Sequence, residues 1–177
     1  DIDIFFKDYV ARNSEFSIDR VEALKNKLKN KKIATILDLA CGTGLFLNEM
    51  AKNYDLEYGE GLDLSVNMIK YAQNHYQSQK LNFVKGDMTD FLLEKKFDLI
   101  TCNYDAINHL ILFEDWQKMF GKAFEHLNFG GYFIFDFNTL LKLKNFNRDS
   151  YYECEDYNCV WHNTNKNDKF NFNFSYY

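Results

Sequence analysis

The segment Ile36-Leu37-Asp38-Leu39-Ala40-Cys41-Gly42-Thr43-Gly44 decides the fold. Its first half is an apolar run typical of a buried strand, and its second half is a glycine turn before a helix predicted to begin near Leu45. In that geometry the backbone N–H groups at the start of a helix can meet a bound ligand that carries negative charge. The segment therefore predicts a ligand laid across the carboxyl end of a parallel sheet.

Apolar patterns alternate between strand and helix along the rest of the chain. Helical spacing follows each of the first two predicted strands, and Ser65 is placed to cap the second of these helices. Another amphipathic helix carries Trp116 to Leu127 and is expected to stop at Gly130-Gly131. Right-handed parallel crossovers then predict an α/β fold with a doubly wound, mostly parallel, Rossmann-like sheet. The predicted strands are residues 33–39, 56–64, 81–84, 97–102 and 132–137.

The two ends of the chain differ from this core, which we place at residues 31–140. Residues 1–30 are expected to form two helices, a short leading one and a second one capped by Ser17. After residue 150 the pattern changes to short strands with Asp/Asn-rich turns, and every second residue from 170 to 174 is Phe. We expect residues 150–177 to form a small antiparallel sheet appended after strand five. It would act as a lid or insertion within a single domain of residues 1–177.

Composition restricts the class of function. The net charge of −5 and the pI near 5.4 argue against nucleic acid as the partner, because that binding relies on clustered Lys and Arg. The four cysteines occur in no CxxC pair, so neither a zinc site nor a disulfide framework is indicated, and no metal is predicted. No apolar run approaches the roughly 18 residues of a membrane span, and the first residues do not show the basic-then-apolar pattern expected of a leader. We expect a cytoplasmic protein without a membrane partner, either a monomer or a homodimer.

Three groups suited to a nucleotide-type cofactor follow the first three predicted strands. Gly42 and Gly44 allow a close backbone approach, because a Cβ at a tight turn would hold the ligand away or forbid the dihedral. Asp63 lies 19 residues after Gly44, near the roughly 20-residue spacing of a ribose-binding acid. Asp87 and Met88 are placed to accept from an adenine amino group and to pack on its ring. Each feature alone also has a structural explanation, since Asp63 could be only a turn residue before the next helix.

Together these segments resemble the motifs of the class I S-adenosylmethionine-dependent methyltransferases. Residues 38–44 resemble the first motif of that family, residues 61–65 the second and residues 86–88 the third. Residues 127–131 resemble the turn before the fifth strand, and the likeness covers residues 33–138. It implies S-adenosylmethionine as the cofactor. The implied cofactor-binding residues are Asp38, Ala40, Gly42, Gly44, Asp63, Leu64, Asp87, Met88, Cys102 and Asn103.

The resemblance also implies a role for each part of this set. Asp38 and the loop at residues 42–44 would hold the methionine end, and Asp63 would hold the ribose. Asp87 with Met88 would hold the adenine, and the backbone at residues 102–103 would face the amino group of the cofactor.

Three departures from the family pattern are visible. Ala40 stands where the family usually has its first glycine, and we expect it to adopt a right-handed or extended dihedral. Phe129 stands where a proline is common. Members normally complete the sheet with an antiparallel hairpin after strand five, and the chain ends before any such element, so these strands are expected to be missing.

The aromatic-rich strands expected after strand five, together with residues 103–110, are most similar to those of the sugar-amine N,N-dimethyltransferases, and this narrower likeness implies a small-molecule acceptor. A protonated amine has to lose a proton, which requires a base near the ends of strands four and five. The predicted catalytic residues are His109, Asp105 and Tyr104, with Asp136 a further candidate. Asp105 could instead cap a turn, and His109 could be a packing residue. Five side chains could wall an acceptor pocket or only pack within the appended sheet, namely Tyr151, Tyr152, Tyr157, Trp161 and His162.

Two other functions stay open. An NAD(P)-dependent oxidoreductase shares the sheet, the glycine turn and the acid after strand two, but Leu47 stands where its fingerprint needs a third glycine. A non-catalytic S-adenosylmethionine-binding protein would keep the cofactor cleft and perform no chemistry.

Overall fold

The structure is a computed structural model that describes residues 2–139, 141, 150–153, 158–166 and 169–176, with side chains for residues 10, 13–139 and 141. The chain divides into two compact units, Asp1–Asp136 and Phe137–Tyr177. Within the described residues no helix is both long enough and apolar enough to cross a bilayer.

The first unit alternates helices and strands. Its helices are α1 (Ile2–Lys27), α2 (Leu45–Asn53), α3 (Val66–Tyr76) and α4 (Phe113–His126), and a short 3₁₀ turn spans Ala106–His109. Its strands are β1 (Thr35–Leu39), β2 (Tyr58–Asp63), β3 (Leu81–Lys85), β4 (Phe97–Cys102) and β5 (Leu127–Phe135).

These five strands form one sheet in the order β3-β2-β1-β4-β5, and each neighbouring pair is parallel. The chain order reverses between β1 and β4, where Asp38 lies beside Thr101 in register. Such a switch point leaves a crevice outside the carboxyl ends of the strands, where open α/β sheets bind ligands. The predicted Rossmann-like, mostly parallel sheet is confirmed.

Two apolar clusters cover the two faces of the sheet. Ile36 and Leu99 belong to the cluster that α1 and α2 complete, whereas Leu37 and Ile100 belong to the cluster that α4 completes. Consecutive strand residues thus point to opposite faces, and both faces are buried, as the continuous apolar runs of parallel strands require. This packing holds the carboxyl ends of β1 and β4 in fixed positions.

The second unit contains β6 (Ser150–Glu153), β7 (Asn158–Lys166) and β8 (Lys169–Tyr176). They pair antiparallel in the order β6-β7-β8.

Two helix boundaries differ from the sequence-based expectation. The N-terminal helix is continuous, so Ser17 lies inside α1 and does not cap a second helix, because no Gly or Pro interrupts the preceding residues. Helix α4 ends at His126 and β5 begins at once, so Gly130-Gly131 lies within the strand instead of stopping the helix. By contrast, the Ser65 side chain accepts a hydrogen bond from the Met68 N–H at 3.4 Å, which confirms the predicted cap of α3.

Gly44 precedes α2 in a conformation and a space that suit only glycine. Its φ is +78°, and a Cβ there would lie 2.5 Å from Cε1 of Phe83 and 3.0 Å from Cβ of Ala72. Gly130 has nearly the same φ, +77°, but no atom of the described side chains and backbone lies within 4 Å of a Cβ built there. The two glycines therefore share a backbone constraint and differ in packing.

We expect Gly44→Ala to lower the free energy of unfolding by about 2–4 kcal/mol, since left-handed strain and overpacking against Phe83 act together. Gly130→Ala should lower it by only about 1 kcal/mol, because strain acts alone. Urea-induced unfolding of both variants measures the difference. Equal losses would contradict the packing role of Gly44.

Candidate functional site

One cavity of about 730 Å³ lies at the switch point of the sheet. Loops after β1, β2, β3 and β4 form most of its wall, and the four helices contribute most of the remaining residues, namely Asn13 and Ser17 of α1, Leu45 and Phe46 of α2, Met68 of α3 and Asp115 of α4. Ten predicted site residues line it, namely Asp38, Ala40, Gly42, Asp63, Leu64, Asp87, Met88, Asn103, Tyr104 and His109.

Three predicted site residues are not among those that line the cavity. Gly44 packs against Phe83, as described above. The Cys102 side chain is fully buried, burial raises the pKa of its thiol to about 12, and its carbonyl accepts a hydrogen bond from the Asp136 N–H at 3.3 Å. Asp105 precedes the 3₁₀ turn without a side-chain cap bond, so the capping alternative is not observed. The binding and catalytic roles given to these three residues stay predictions.

Asp38 is the most deeply buried carboxyl group of the cavity, with 3% of the residue exposed. It accepts hydrogen bonds from Thr101 Oγ1 at 2.7 Å and from Asn103 Nδ2 at 3.4 Å. Desolvation by burial raises its pKa to about 7, although both hydrogen bonds act in the opposite direction, and the charge of Asp63 adds to the rise. The folded chain therefore contains a carboxylate that its own residues stabilise incompletely.

Asn103 places a second acceptor beside this carboxylate. Its Oδ1 atom is buried and has no hydrogen-bond partner among the described residues. A buried polar atom without a partner costs free energy, so it usually has an unseen partner. Because Asp38 and Asn103 Oδ1 are both acceptors that line one cavity, the missing partner is a donor, and an ammonium group supplies both donors and a compensating charge. The pair fits the amino end of an amino acid.

Asp63 joins the first two loops. Its Oδ2 accepts from the Gly42 N–H and its Oδ1 from the Ser65 N–H, both at 2.8 Å. The turn explanation of Asp63 is therefore correct, and it does not exclude a binding role, since an ionised carboxylate has about four acceptor positions. Asp63 lines the cavity and retains acceptor capacity for hydroxyl groups.

Asp87 and Met88 form the third wall. Asp87 is exposed, and its Oδ1 accepts from both the backbone N–H and the hydroxyl of Thr89, at 2.8 and 2.7 Å. Met88 is partly buried and packs against the cluster on the α4 side. This arrangement offers an apolar surface beside a fixed carboxylate, as a flat aromatic base requires.

The described non-glycine residues with positive φ all lie in the loops after β1 and β4. Ala40 has a φ of +55°, Tyr104 of +60° and Asp105 of +52°. The expectation of a right-handed or extended Ala40 is therefore wrong, because the turn into Gly42 requires the left-handed region that a glycine adopts freely. Backbone strain of this kind concentrates at functional sites.

The loop after β4 is also held by side chains. Tyr104 OH lies 2.8 Å from Ser17 Oγ, and the Arg20 guanidinium lies over the Tyr104 ring at 5.4 Å. Asp136 forms an ion pair with Arg20 and accepts from the Asp105 N–H at 2.6 Å. It is not among the residues that line the cavity, and its role as a base stays a prediction. His109 is exposed and lines the cavity, unlike a packing residue.

The sequence analysis did not predict several of the residues that line the cavity. Asn13 and Ser17 come from α1, and Asp115 comes from the start of α4, where no motif marks them. Thr43 lies inside the quoted first segment and could have been named from it.

A family model described as a methyltransferase domain matches residues 30–173. The chain belongs to this family. The predicted resemblance to S-adenosylmethionine-dependent methyltransferases is thereby confirmed, with S-adenosylmethionine as the family's cofactor.

Relatives of this methyltransferase domain include two sugar-amine enzymes. The dTDP-3-amino-3,6-dideoxy-alpha-D-glucopyranose N,N-dimethyltransferase of Streptomyces fradiae is 39% identical over 79 residues, which cover 45% of this chain and 29% of that enzyme. The dTDP-3-amino-3,4,6-trideoxy-alpha-D-glucopyranose N,N-dimethyltransferase of Streptomyces venezuelae is 31% identical over 135 residues, covering 73% and 52%. The chain thus spans about half or less of the length of these relatives.

A solved structure agrees with the fold. It is a S-adenosylmethionine-dependent methyltransferase from Clostridium acetobutylicum ATCC 824, with 28% sequence identity and a TM-score of 0.73. The match covers 88% of this methyltransferase domain and 71% of that chain.

The strained Ala40 gives a stability prediction. Ala40→Gly should raise the free energy of unfolding by roughly 0.5–1 kcal/mol, because relief of the left-handed strain exceeds the added entropy of the unfolded chain. Ala123→Gly, in the buried interior of α4, should instead lower it by about 1 kcal/mol. Thermal unfolding without ligand compares the two variants. A loss of stability in Ala40→Gly would show that the left-handed conformation carries no strain.

The pKa of Asp38 gives a second prediction. A cation binds the ionised carboxylate better, and a pKa of about 7 means that this form grows as the pH rises toward 7. We expect S-adenosylmethionine to bind about tenfold more tightly at pH 7 than at pH 5.5, below the range in which its own amino group titrates. Calorimetry should show this dependence of the Kd on pH in wild type and in Asp55→Asn. In Asp38→Asn the affinity should be weak and the Kd should be the same at both pH values. A slope that persists in Asp38→Asn would assign the titration to another group.

Proposed function

We propose that this methyltransferase domain transfers a methyl group from S-adenosylmethionine to an amine of a small-molecule acceptor. The observation that carries the proposal is the buried Asp38 carboxylate beside Asn103 Oδ1, which has no partner among the described residues, within a cavity at the switch point. When bound, the cofactor would supply an activated methyl group on a positively charged sulfur. The protein would then bind both reactants, align them and exclude water.

The cofactor contacts follow from the three loops. Asp38 and Asn103 would hold the ammonium of the methionine end, and Asp63 would accept from the ribose hydroxyls. Met88 would pack on the adenine, and Asp87 would accept from its amino group. Apolar side chains would keep water from this part of the cavity, among them Leu45, Phe46, Leu62, Leu64 and Met68.

The charge of the cavity favours an amine as the acceptor. Four carboxyl groups line it, Asp38, Asp63, Asp87 and Asp115, and none of the described lining residues is Lys or Arg. Lys118 lies 2.8 Å from Asp115 and offsets one of these charges. A cavity of this sign attracts a cationic group and repels a carboxylate acceptor.

His109 is the residue we propose as the base. An amine is protonated near neutral pH, and its lone pair becomes available only after the proton leaves. An exposed imidazole can accept that proton and release it to solvent. His109 combines this chemistry with a place in the cavity wall, whereas Asp105 does not line the cavity.

Other parts of the sequence-based interpretation stay predictions. The side chains expected to form the acceptor wall, residues 151, 152, 157, 161 and 162, lie outside those that the structure describes, as does the lid role of residues 150–177. The absence of the family's last antiparallel strands, the monomeric or homodimeric state and the cytoplasmic location are likewise untested.

The proposal is tested by binding and transfer together. S-adenosylmethionine with a labelled methyl group is incubated with the chain and with amines that include dTDP-3-amino-3,6-dideoxy-α-D-glucopyranose. His109→Asn should lower transfer by roughly 10²–10⁴-fold and leave the Kd of the cofactor unchanged. His75→Asn, an exposed histidine of α3 outside the cavity, should leave both unchanged.

Two results would contradict the proposal. Cofactor binding without transfer to any amine would favour a non-catalytic binding protein. Binding of NADH in preference to S-adenosylhomocysteine would favour an oxidoreductase, an alternative that the family membership and the relatives do not support.

A further inference from the structure

Helix α1 supplies a polar residue to the cavity that the cofactor contacts leave unused. Ser17 lies in the interior of this helix and is 1% exposed. Its Oγ lies 2.8 Å from Tyr104 OH, a contact between residues 87 positions apart in the chain. Both residues line the cavity. A buried hydroxyl pair adds little net stability compared with an apolar pair of the same shape, so its presence calls for another explanation.

Tyr104 is fixed in three ways. Its backbone adopts the left-handed region, which is rare for a bulky residue. Its ring lies under the Arg20 guanidinium, and the ion pair of Arg20 with Asp136 anchors that guanidinium. Its hydroxyl contacts Ser17. Backbone, ring and hydroxyl are thus constrained separately, which is the precision that a ligand-orienting group requires.

The place of Tyr104 assigns it to the acceptor and not to the cofactor. The contacts proposed for adenosine come from the loops after β2 and β3, and those proposed for the methionine end come from Asp38 and Asn103. Tyr104 follows β4, on the same loop as the proposed base His109, and meets α1 on its other side. Under the proposed function Asn103 holds the cofactor, whereas the Tyr104 side chain and α1 have no role in holding it.

We propose that the Tyr104 hydroxyl binds the acceptor amine and that Ser17 is its positioning residue, an inference that rests on the proposed function. This role requires that Tyr104 O–H donate to Ser17 Oγ, a direction that the 2.8 Å contact allows, so that the lone pairs of the phenolic oxygen face the cavity. The Ser17 hydroxyl can donate in turn to a carbonyl of its own helix, as mid-helix serines do. An oxygen that offers only lone pairs suits an N–H donor, in keeping with a cavity lined by carboxylates.

The test measures methyl transfer to dTDP-3-amino-3,6-dideoxy-α-D-glucopyranose by four variants. Tyr104→Phe and Ser17→Ala should each raise KM for this amine about tenfold, the value of one hydrogen bond, with a smaller change in kcat. Because the two residues act as one unit, the double variant should be no worse than either single variant. Ser17→Thr, which keeps the hydroxyl, should restore the wild-type KM.

Two controls separate this role from a structural one. The Kd of S-adenosylmethionine should change by less than about twofold in every variant, because neither Ser17 nor the Tyr104 side chain is among the proposed cofactor contacts. Tyr132→Phe, on β5 and outside the cavity wall, should leave KM unchanged. Unchanged KM in Tyr104→Phe, additive losses in the double variant, or an equal loss of cofactor affinity would overturn the inference.

A binding measurement tests the inference separately from the proposed function. If the wild-type chain transfers no methyl group, calorimetry measures binding of the same amine to the chain loaded with S-adenosylhomocysteine. A Kd about tenfold weaker in Tyr104→Phe and in Ser17→Ala would support the inference. Equal Kd values, or no binding by wild type, would overturn it.

Discussion

The site depends on the burial of the Asp38 carboxyl group at the switch point of the sheet. Thr101 and Asn103, from the neighbouring strand β4 and its following loop, donate to it, yet its pKa still lies near 7. A carboxylate that is well compensated has a pKa below its ordinary value, so the protein alone does not complete this environment. Under the proposed function a ligand cation completes it, which would couple the fold directly to the chemistry of the ligand.

The same switch point explains where the backbone is strained. Ala40 follows β1, and Tyr104 with Asp105 follows β4, so the left-handed residues stand on both sides of Asp38. The apolar clusters on the two faces of the sheet hold both strands, and this packing offsets the local cost. The loops are therefore already shaped for close approach of a ligand before it binds.

Sequence alone predicts whatever depends on local pattern. Strand β4 was predicted at its observed bounds, and Asp63 was placed correctly, because a buried strand and a turn acid both leave local signals. The expected dihedral of Ala40 is wrong. An alanine in place of a glycine does not reveal from the sequence that the turn still requires a positive φ. Ser17 precedes apolar residues at helical spacing and so resembled a cap, whereas its contact with Tyr104 lies 87 residues away in the chain and has no local signature.

The proposed cofactor contacts and the proposed acceptor contacts come from different parts of the chain. The cofactor contacts come from short motifs at strand ends, and such motifs can remain alike in enzymes with different acceptors. The proposed acceptor contacts come from α1 meeting the loop after β4, through Ser17, Arg20 and Tyr104. A change in α1 can therefore alter which acceptor fits while Asp38 and Asp63 keep their partners. For this reason the motifs indicate S-adenosylmethionine through their resemblance to the family, whereas the proposed acceptor contacts lie between distant elements and leave no such motif.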